Sequence, residues 1–228
     1  YRGIVDATEY TGLYSYEGTS KNCVKIDGTE FTLDTKTKDI SDYLGYRIDA
    51  YYKVIDGENI LVAYEFVRNE VLRLDADEID EVKDYQLVYN VNGKRKSIQL
   101  DRSISVIYNG EYTDIYTGEM LNPNMGSVTL IANSSSGDYD VVVVESYKNY
   151  VVSGIDESNM LIYDRLEPDK IIELEKNNLK YFIYDNKGLD ISLSDIPVNS
   201  VLSIAMSAGG NYAKNKCNRV FAKNYDRT

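Results

Sequence analysis

The sequence predicts an all-β protein made of three tandem small barrel-like units, each of five to six strands with short helical turns. Three observations support this prediction. Strand-like segments rich in Val, Ile, Tyr and Thr follow one another along the chain. Dipeptides typical of tight turns separate them, and the same order of elements recurs three times. A length of 228 residues suits two or three compact units.

Short strand-like segments account for most of the chain. They alternate in polarity or form brief apolar runs, and Gly, Asn or Asp bounds most of them. The predicted strands are Gly3–Thr8, Cys23–Leu33, Gly45–Val54, Ile60–Val67, Val71–Ala76, Gln86–Val91, Lys96–Leu100, Ser105–Tyr108, Gly126–Ala132, Tyr139–Ser146, Tyr150–Ile155, Lys180–Tyr184, Val201–Met206 and Arg219–Ala222. Helical periodicity is scarce, and Glu167–Asn177, with Pro168 near its start, is the best helix candidate.

Four dipeptides predict tight hairpin turns, because Asn, Asp and Gly tolerate the positive φ that these turns need. They are Asp27-Gly28, Asp56-Gly57, Asn92-Gly93 and Asn109-Gly110.

The repeat has a period of about 75–80 residues, a length that suits one small barrel. Each pass contains an opening strand, a hairpin, a short turn-like segment and two closing strands. The third hairpin is expected at Tyr184–Gly188, and the turn-like segments at Ile40–Leu44, Tyr116–Leu121 and Leu193–Pro197. We therefore expect units at 1–69, 70–149 and 150–228. Their linkers hold little Pro or Gly, so the units should pack directly on one another.

Composition argues against several functions. The net charge of −12 repels phosphate backbones, which disfavours nucleic acid as a partner. No apolar run approaches the roughly 20 residues of a membrane helix. The chain has no histidine and no tryptophan, so serine–histidine and cysteine–histidine catalysis and histidine-based zinc sites are excluded. We expect a protein that is not an enzyme and that holds no cofactor.

Two acidic segments are candidate cation sites. Asp138 and Asp140 follow an oxygen-rich loop, but serines occupy positions where a calcium loop needs carboxylates. They are weak metal candidates, and a solvated hairpin turn is the simpler interpretation. Asp75, Asp77, Glu78, Asp80 and Glu81 form the densest acidic cluster. It could bind a divalent ion or a basic partner, or be a solvated face of the protein.

Tyrosine is unusually abundant, with 22 residues against 4 phenylalanines. Tyrosine offers a large contact area at low entropic cost, together with a hydroxyl group for a partner. The interface candidates are Tyr10, Tyr14, Tyr16, Tyr46, Tyr51 and Tyr52. The alternative is that these rings form cross-strand pairs on half-buried sheets.

The ends of the chain suggest two further expectations. The chain begins with Tyr1 instead of Met, which favours a segment of a longer or processed protein. Cys23 and Cys217 are the only cysteines. They could form one disulfide, but two buried free thiols are the simpler interpretation.

Several passages resemble the β-rich modules that accompany S-layer homology domains in surface proteins of clostridia and related Gram-positive bacteria, and similar modules of phage structural proteins. The resemblance is strongest between Gly3 and Val152, and the serines of Asn133–Gly137 depart from its pattern. The passages that carry it are Tyr43–Tyr46, Ala50–Lys53, Val71–Ile79, Val106–Gly110, Gly126–Ile131, Asp138–Val144 and Tyr150–Val152.

The resemblance implies architecture and supplies no catalytic residues. It leads us to expect a structural or assembly module, located in a virion (as a tail-type component) or at a bacterial cell surface. Its expected partners are other structural proteins of the same assembly, including copies of itself. A host-surface carbohydrate-binding module is the alternative, because tyrosine rings also form sugar-binding platforms.

Overall fold

The computed structural model describes residues 1–9, 11–14, 18–38, 40, 43–67, 70–113, 115–133, 137–174, 180–185, 189, 191–206 and 219–225. In these ranges the regular structure consists of eighteen strands and three short 3-10 turns at Ala76–Glu78, Gly118–Leu121 and Leu193–Asp195. The prediction of an all-β chain of three barrel-like units with short helical turns is therefore confirmed.

The first unit is a closed barrel of five strands in the order β1-β2-β3-β5-β4. Its strands are β1 (Arg2–Ala7), β2 (Cys23–Ile26), β3 (Thr29–Leu33), β4 (Arg47–Ile55) and β5 (Glu58–Phe66). All neighbours are antiparallel except β3 and β5, which run parallel. This is the topology of a five-stranded Greek-key barrel such as the OB fold.

The second unit repeats this order with two additions. Its strands are β6 (Glu70–Asp75), β7 (Ile79–Lys83), β8 (Gln86–Val91), β9 (Lys94–Tyr108), β10 (Glu111–Thr113), β11 (Gly126–Ala132) and β12 (Tyr139–Ser146). They follow the order β6-β11-β12-β9-β8-β7, with β10 added beside β9. A 3-10 turn splits the opening strand into β6 and β7, so this unit has seven strands instead of the predicted five or six.

In the third unit the split falls in the third strand. The strands are β13 (Lys148–Asp156), β14 (Leu161–Asp164), β15 (Ile171–Glu173), β16 (Lys180–Tyr184), β17 (Val201–Met206) and β18 (Arg219–Tyr225). Their order is β15-β14-β13-β17-β18-β16, and β16 runs parallel to β18. Here β15 and β16 correspond to the first and second halves of β3.

The helix predicted in the third unit is wrong. The helix candidate Glu167–Asn177 contains strand β15, which pairs with Leu161–Tyr163. Its β-branched Ile171 and Ile172 alternate between an exposed and a buried position, which is strand periodicity. The hairpin expected at Tyr184–Gly188 lies largely outside the described residues, although across it the Ile191 amide donates to the Ile183 carbonyl at 3.0 Å. Within the described residues β14 and β15 form a hairpin, and β16 pairs with β18.

The four predicted tight turns are confirmed. Asp27 and Gly28 have φ of 43° and 75°, and Asn92 and Gly93 have φ of 52° and 71°. Asp56-Gly57 and Asn109-Gly110 likewise combine two positive φ angles between paired strands. These are the angles that a two-residue turn needs to follow the right-handed twist of its strands.

In each unit the opening strand pairs with a strand that we call the fourth strand, which is β4 in the first unit and its equivalents β11 and β17 in the others. This pairing ends at one residue of the opening strand, which we call the bend residue. These residues are Ile4, Asp75 and Val151. In every case the backbone amide of that residue donates to a carboxylate. The bonds are Ile4 to Asp27 Oδ1 at 2.9 Å, Asp75 to Glu78 Oε2 at 2.9 Å and Val151 to Asp164 Oδ1 at 3.0 Å. The carboxylate satisfies an amide that the bend removes from regular pairing.

The core of the first barrel continues into the second unit. Its buried cluster includes Ile107, Ile131 and Val141 from β9, β11 and β12. At this junction a Cβ on Gly45 would lie 2.6 Å from Val141 Cγ1, so glycine permits the close approach. Asn133 Nδ2 also donates to the Gly45 carbonyl at 2.9 Å. The interiors of the second and third units are separate clusters.

Candidate interaction surfaces

The β4–β5 hairpin carries the densest group of exposed apolar side chains in the described part of the chain. Strand β1 pairs with β4 only over Arg47–Asp49, so the outer half of the hairpin extends past it. We call these exposed side chains the hairpin surface. Its members are Tyr51, Tyr52, Val54, Ile55, Val62 and Phe66.

The hairpin surface has two faces. Ile48 and Ala50 are buried in the barrel, and side chains alternate along a strand. Tyr52 and Val54 therefore continue the barrel-facing side, where the Tyr52 ring meets Phe31 edge-on with centroids 5.3 Å apart. Tyr51 points to the opposite side, and its hydroxyl donates to Glu65 Oε2 at 3.2 Å.

The other tyrosine candidates lie apart from one another. Tyr46 is half-buried and belongs to an aromatic group, with its ring centroid 5.5 Å from Tyr43 and 5.8 Å from Phe66. Tyr14 has φ of 55° and hydrogen-bonds the Ser105 side chain of the second unit. Tyr10 and Tyr16 lie outside the described residues. Tyr51 and Tyr52 are thus the candidates with open surface on the hairpin.

The predicted metal candidates Asp138 and Asp140 are half-buried after the β11–β12 loop. Asp140 Oδ1 accepts from the Asn133 backbone amide at 3.1 Å and from Asn133 Nδ2 at 3.2 Å. Burial raises the pKa of Asp140, because charge is costly there. Within the described ranges, no three His, Cys, Asp or Glu side chains are grouped so that they could hold a metal ion.

The acidic cluster that begins at Asp75 is largely bound within its own unit. Asp80 accepts from Asn90 at 2.6 Å and lies 3.5 Å from the Arg95 guanidinium. Arg95 also reaches Glu81 at 3.9 Å. Glu78 accepts the Asp75 amide at the strand bend. These contacts favour the interpretation of a solvated, internally paired face.

A polar cleft of about 390 Å³ lies beside this cluster. Arg73 approaches Glu145 at 3.8 Å and Ser127 Oγ at 3.4 Å. Ser127 and Tyr147 also hydrogen-bond Glu145, at 3.3 and 3.5 Å. The Glu145 carboxylate of the cleft is thus held by three side chains of the same unit.

Cys23, the one cysteine among the described residues, is half-buried. Its Sγ lies 3.8 Å from Thr32 Oγ1, across the β2–β3 pair. Cys217 lies outside the described residues, so the choice between a disulfide and two free thiols stays a prediction.

Asp6 is a buried carboxylate in the first barrel, 5% exposed. Its Oδ2 accepts the Gly28 amide at 2.6 Å, while Oδ1 has no hydrogen-bond partner. Burial is the largest cause of its pKa being raised above the ordinary value of 3.8. The folded state therefore binds the proton more tightly than the unfolded state, and this contribution to stability is lost as pH rises through the raised pKa.

We accordingly expect Asp6→Asn to gain stability relative to the parent protein as pH rises from 4 to 7. Asparagine can still accept the Gly28 amide, and it avoids an unpaired buried charge. Urea unfolding at both pH values measures the difference. Asp34→Asn is the control of opposite sign, because hydrogen bonds from the Lys36 amide and Lys53 lower the pKa of Asp34. A stability of D6N relative to the parent that is unchanged or lower at pH 7 than at pH 4 would contradict this expectation.

Neither a protein-family model nor a curated protein matches the chain. The resemblance to S-layer-associated and phage modules therefore stays a prediction. In the described residues no helix is long and apolar enough to cross a membrane.

Proposed function

We propose that this chain is a non-catalytic structural module of a virion, as a tail-type component, or of a bacterial cell-surface assembly, acting through protein–protein packing. The observation that carries the proposal is the hairpin surface. Single exposed apolar residues are ordinary, but six on the two faces of one projecting hairpin are typical of an interaction site. Tyr51 and Tyr52, both more than 40% exposed, supply the rigid amphipathic rings that such contacts use.

The junction of the first two barrels supports the same proposal. A module that positions partners has to keep a fixed geometry, and a core shared across the junction opposes bending there. Ile131 is fully buried at this junction. The expected partners are other structural proteins of the assembly, and the net charge of −12 disfavours nucleic acid.

Binding to purified assemblies of the source tests the proposal. Labelled chain is incubated with virions and with cell envelopes, and saturable retention is measured. We expect retention by one of the two, with a strong loss in the double variant Tyr52→Lys, Val54→Lys. Ile115→Lys is the matched control, since Ile115 is equally apolar and 65% exposed but lies in the second unit. Absence of retention by both preparations would contradict the proposal.

A carbohydrate-binding module is the second candidate, and one aromatic contact favours it. Tyr1 and Tyr52 flank Phe31, with centroids 5.6 and 5.3 Å from it, and both outer rings are exposed. Such rings can stack on sugars. An array of purified cell-wall glycans tests this candidate. Binding that Tyr52→Ala abolishes would favour it, and a flat array would remove it.

A further inference from the structure

The three barrels share the same strand order, so equivalent positions in them can be compared. In each unit one residue of the fourth strand pairs with the bend residue of the opening strand. We call it the anchor residue. The pairs are Ile4 with Arg47, Asp75 with Ser127, and Val151 with Val201. Positions counted from the anchor residue are therefore equivalent in the three units.

The position four residues after the anchor lies on the outer side of the fourth strand. It is occupied by Tyr51, Ile131 and Ala205 in the three units. Ile131 is fully buried because the end of the first barrel covers it, and Ala205 is also fully buried. Tyr51, in contrast, is 49% exposed. The first unit thus leaves uncovered the position that the second unit buries against its neighbour.

The position three residues before the anchor lies at the opposite end of each barrel. In the first unit it is Leu44, which is 6% exposed and belongs to the core shared with the second unit. In the third unit it is Val198, which is 55% exposed. The second unit has the polar Asn124 here.

The backbone confirms that Leu44 and Val198 are equivalent. The next residue, Gly45 or Asn199, has a positive φ of 86° or 68°. Its amide donates to the carbonyl of Val5 in the first unit, at 2.8 Å, and of Val152 in the third, at 2.7 Å. Val198 is therefore the uncovered counterpart of a residue that is buried at a barrel–barrel junction.

The junction of the second and third barrels uses the same part of the fourth strand. Asn109 Nδ2 donates to the carbonyl of Met206, the residue after Ala205, at 2.8 Å. Strand β12 also contacts β17. At both junctions, one end of a barrel thus packs on the fourth strand of the next barrel along the chain.

We propose that a second copy of this chain continues the stack, with the third barrel of one copy docking through its Val198 end on the Tyr51 face of the next copy's first barrel. The proposal rests on the proposed function and names the partner of one face of the hairpin surface, the face that carries Tyr51. End units of stacked repeats ordinarily carry polar outer faces, whereas both ends here present apolar side chains. Because the two ends differ, the contact is heterologous and leaves the growing chain open at both ends.

A polar contact of the internal junction has a counterpart at the proposed one. Asn133, two residues after Ile131, donates to the Gly45 carbonyl at the internal junction. Lys53 is two residues after Tyr51 and is therefore the counterpart of Asn133. Asn199 is the counterpart of Gly45. The Lys53 ammonium group, now 3.2 Å from Asp34 Oδ2, can donate to the Asn199 carbonyl of the docked copy.

Sedimentation velocity of the chain, from micromolar to millimolar concentration, tests the proposal. We expect the average mass to rise continuously with concentration and not to stop at a dimer. Tyr51→Lys and Val198→Lys should each be monomeric, because each places a charged ammonium group in an apolar contact. Val54→Lys is the control, since Val54 is exposed on the other face of the same hairpin and should leave association unchanged.

Mixing the two monomeric variants gives the sharper test. Y51K retains an intact Val198 end, and V198K retains an intact Tyr51 face, so the mixture should form complexes of two chains and no larger species. A parent chain that is monomeric throughout, or an association that V198K leaves intact, would overturn the proposal. If the parent chain is monomeric but virions or cell envelopes still retain it, self-docking alone is overturned. If neither preparation retains the parent chain, the result counts against the proposed function.

Discussion

Replacing Gly126 by alanine is expected to destabilise the second unit strongly. Gly126 has φ of 129°, and a Cβ there would lie 1.8 Å from the Glu145 carbonyl oxygen on the paired strand β12. The backbone conformation costs about 1–3 kcal/mol for a residue with a side chain. Overpacking against backbone adds about 1–3 kcal/mol. Urea unfolding followed by near-ultraviolet circular dichroism, which reports tyrosine packing, measures the loss.

Gly93→Ala is the matched control for this prediction. Gly93 also has a positive φ, 71°, but no atom lies within 4 Å of the position that its Cβ would occupy. Gly93→Ala should lose only the stability that the positive φ costs, because its Cβ clashes with no atom, and the protein should remain folded. If the two variants lose equal stability, the contact between Gly126 and Glu145 does not have the effect that we assign to it.

Replacing Ile131 by alanine is expected to destabilise the joined first and second barrels by about 2–5 kcal/mol, the usual range for emptying a buried isoleucine site. Ile131 is fully buried in the cluster that both barrels share. The equivalent change in the first unit, Tyr51→Ala, removes an exposed ring and should alter stability by about 0.5 kcal/mol or less. Chemical denaturation of the two variants compares one repeat position with and without a covering barrel.

If Tyr51→Ala destabilised the protein as much as Ile131→Ala does, the difference that we assign to burial at the junction would be absent. The hairpin ring would instead be needed for the fold of its own barrel. The proposed docking face would then lose its main support.

The sequence predicts the architecture well where local chemistry determines it. Asp27-Gly28 and Asn92-Gly93 form turns because few other residues accept two positive φ angles in succession. The strands around them follow from alternation of polarity. The prediction fails where strand pairing decides the structure. Ile171–Glu173 becomes a strand because Leu161–Tyr163 lies beside it, and β16 finds its partner in β18, far along the chain.

The interaction surface is only partly predictable from the sequence. Tyr51 and Tyr52 are visible as adjacent tyrosines, and alternation places them on opposite faces. Tyr46 has the same residue type but packs among aromatic rings in the structure. Val198 was missed because a single valine after proline carries no signal until strand pairing aligns it with Leu44.

The shared interior of the first two barrels has a consequence for a chain under tension. Neither of these barrels can open without stripping apolar side chains from the other, since Ile131 and Val141 serve both. The third barrel has an interior of its own and can give way alone. A pulled chain should therefore lengthen in two steps of unequal size, with the shorter extension released by the third barrel and the longer one by the first two together.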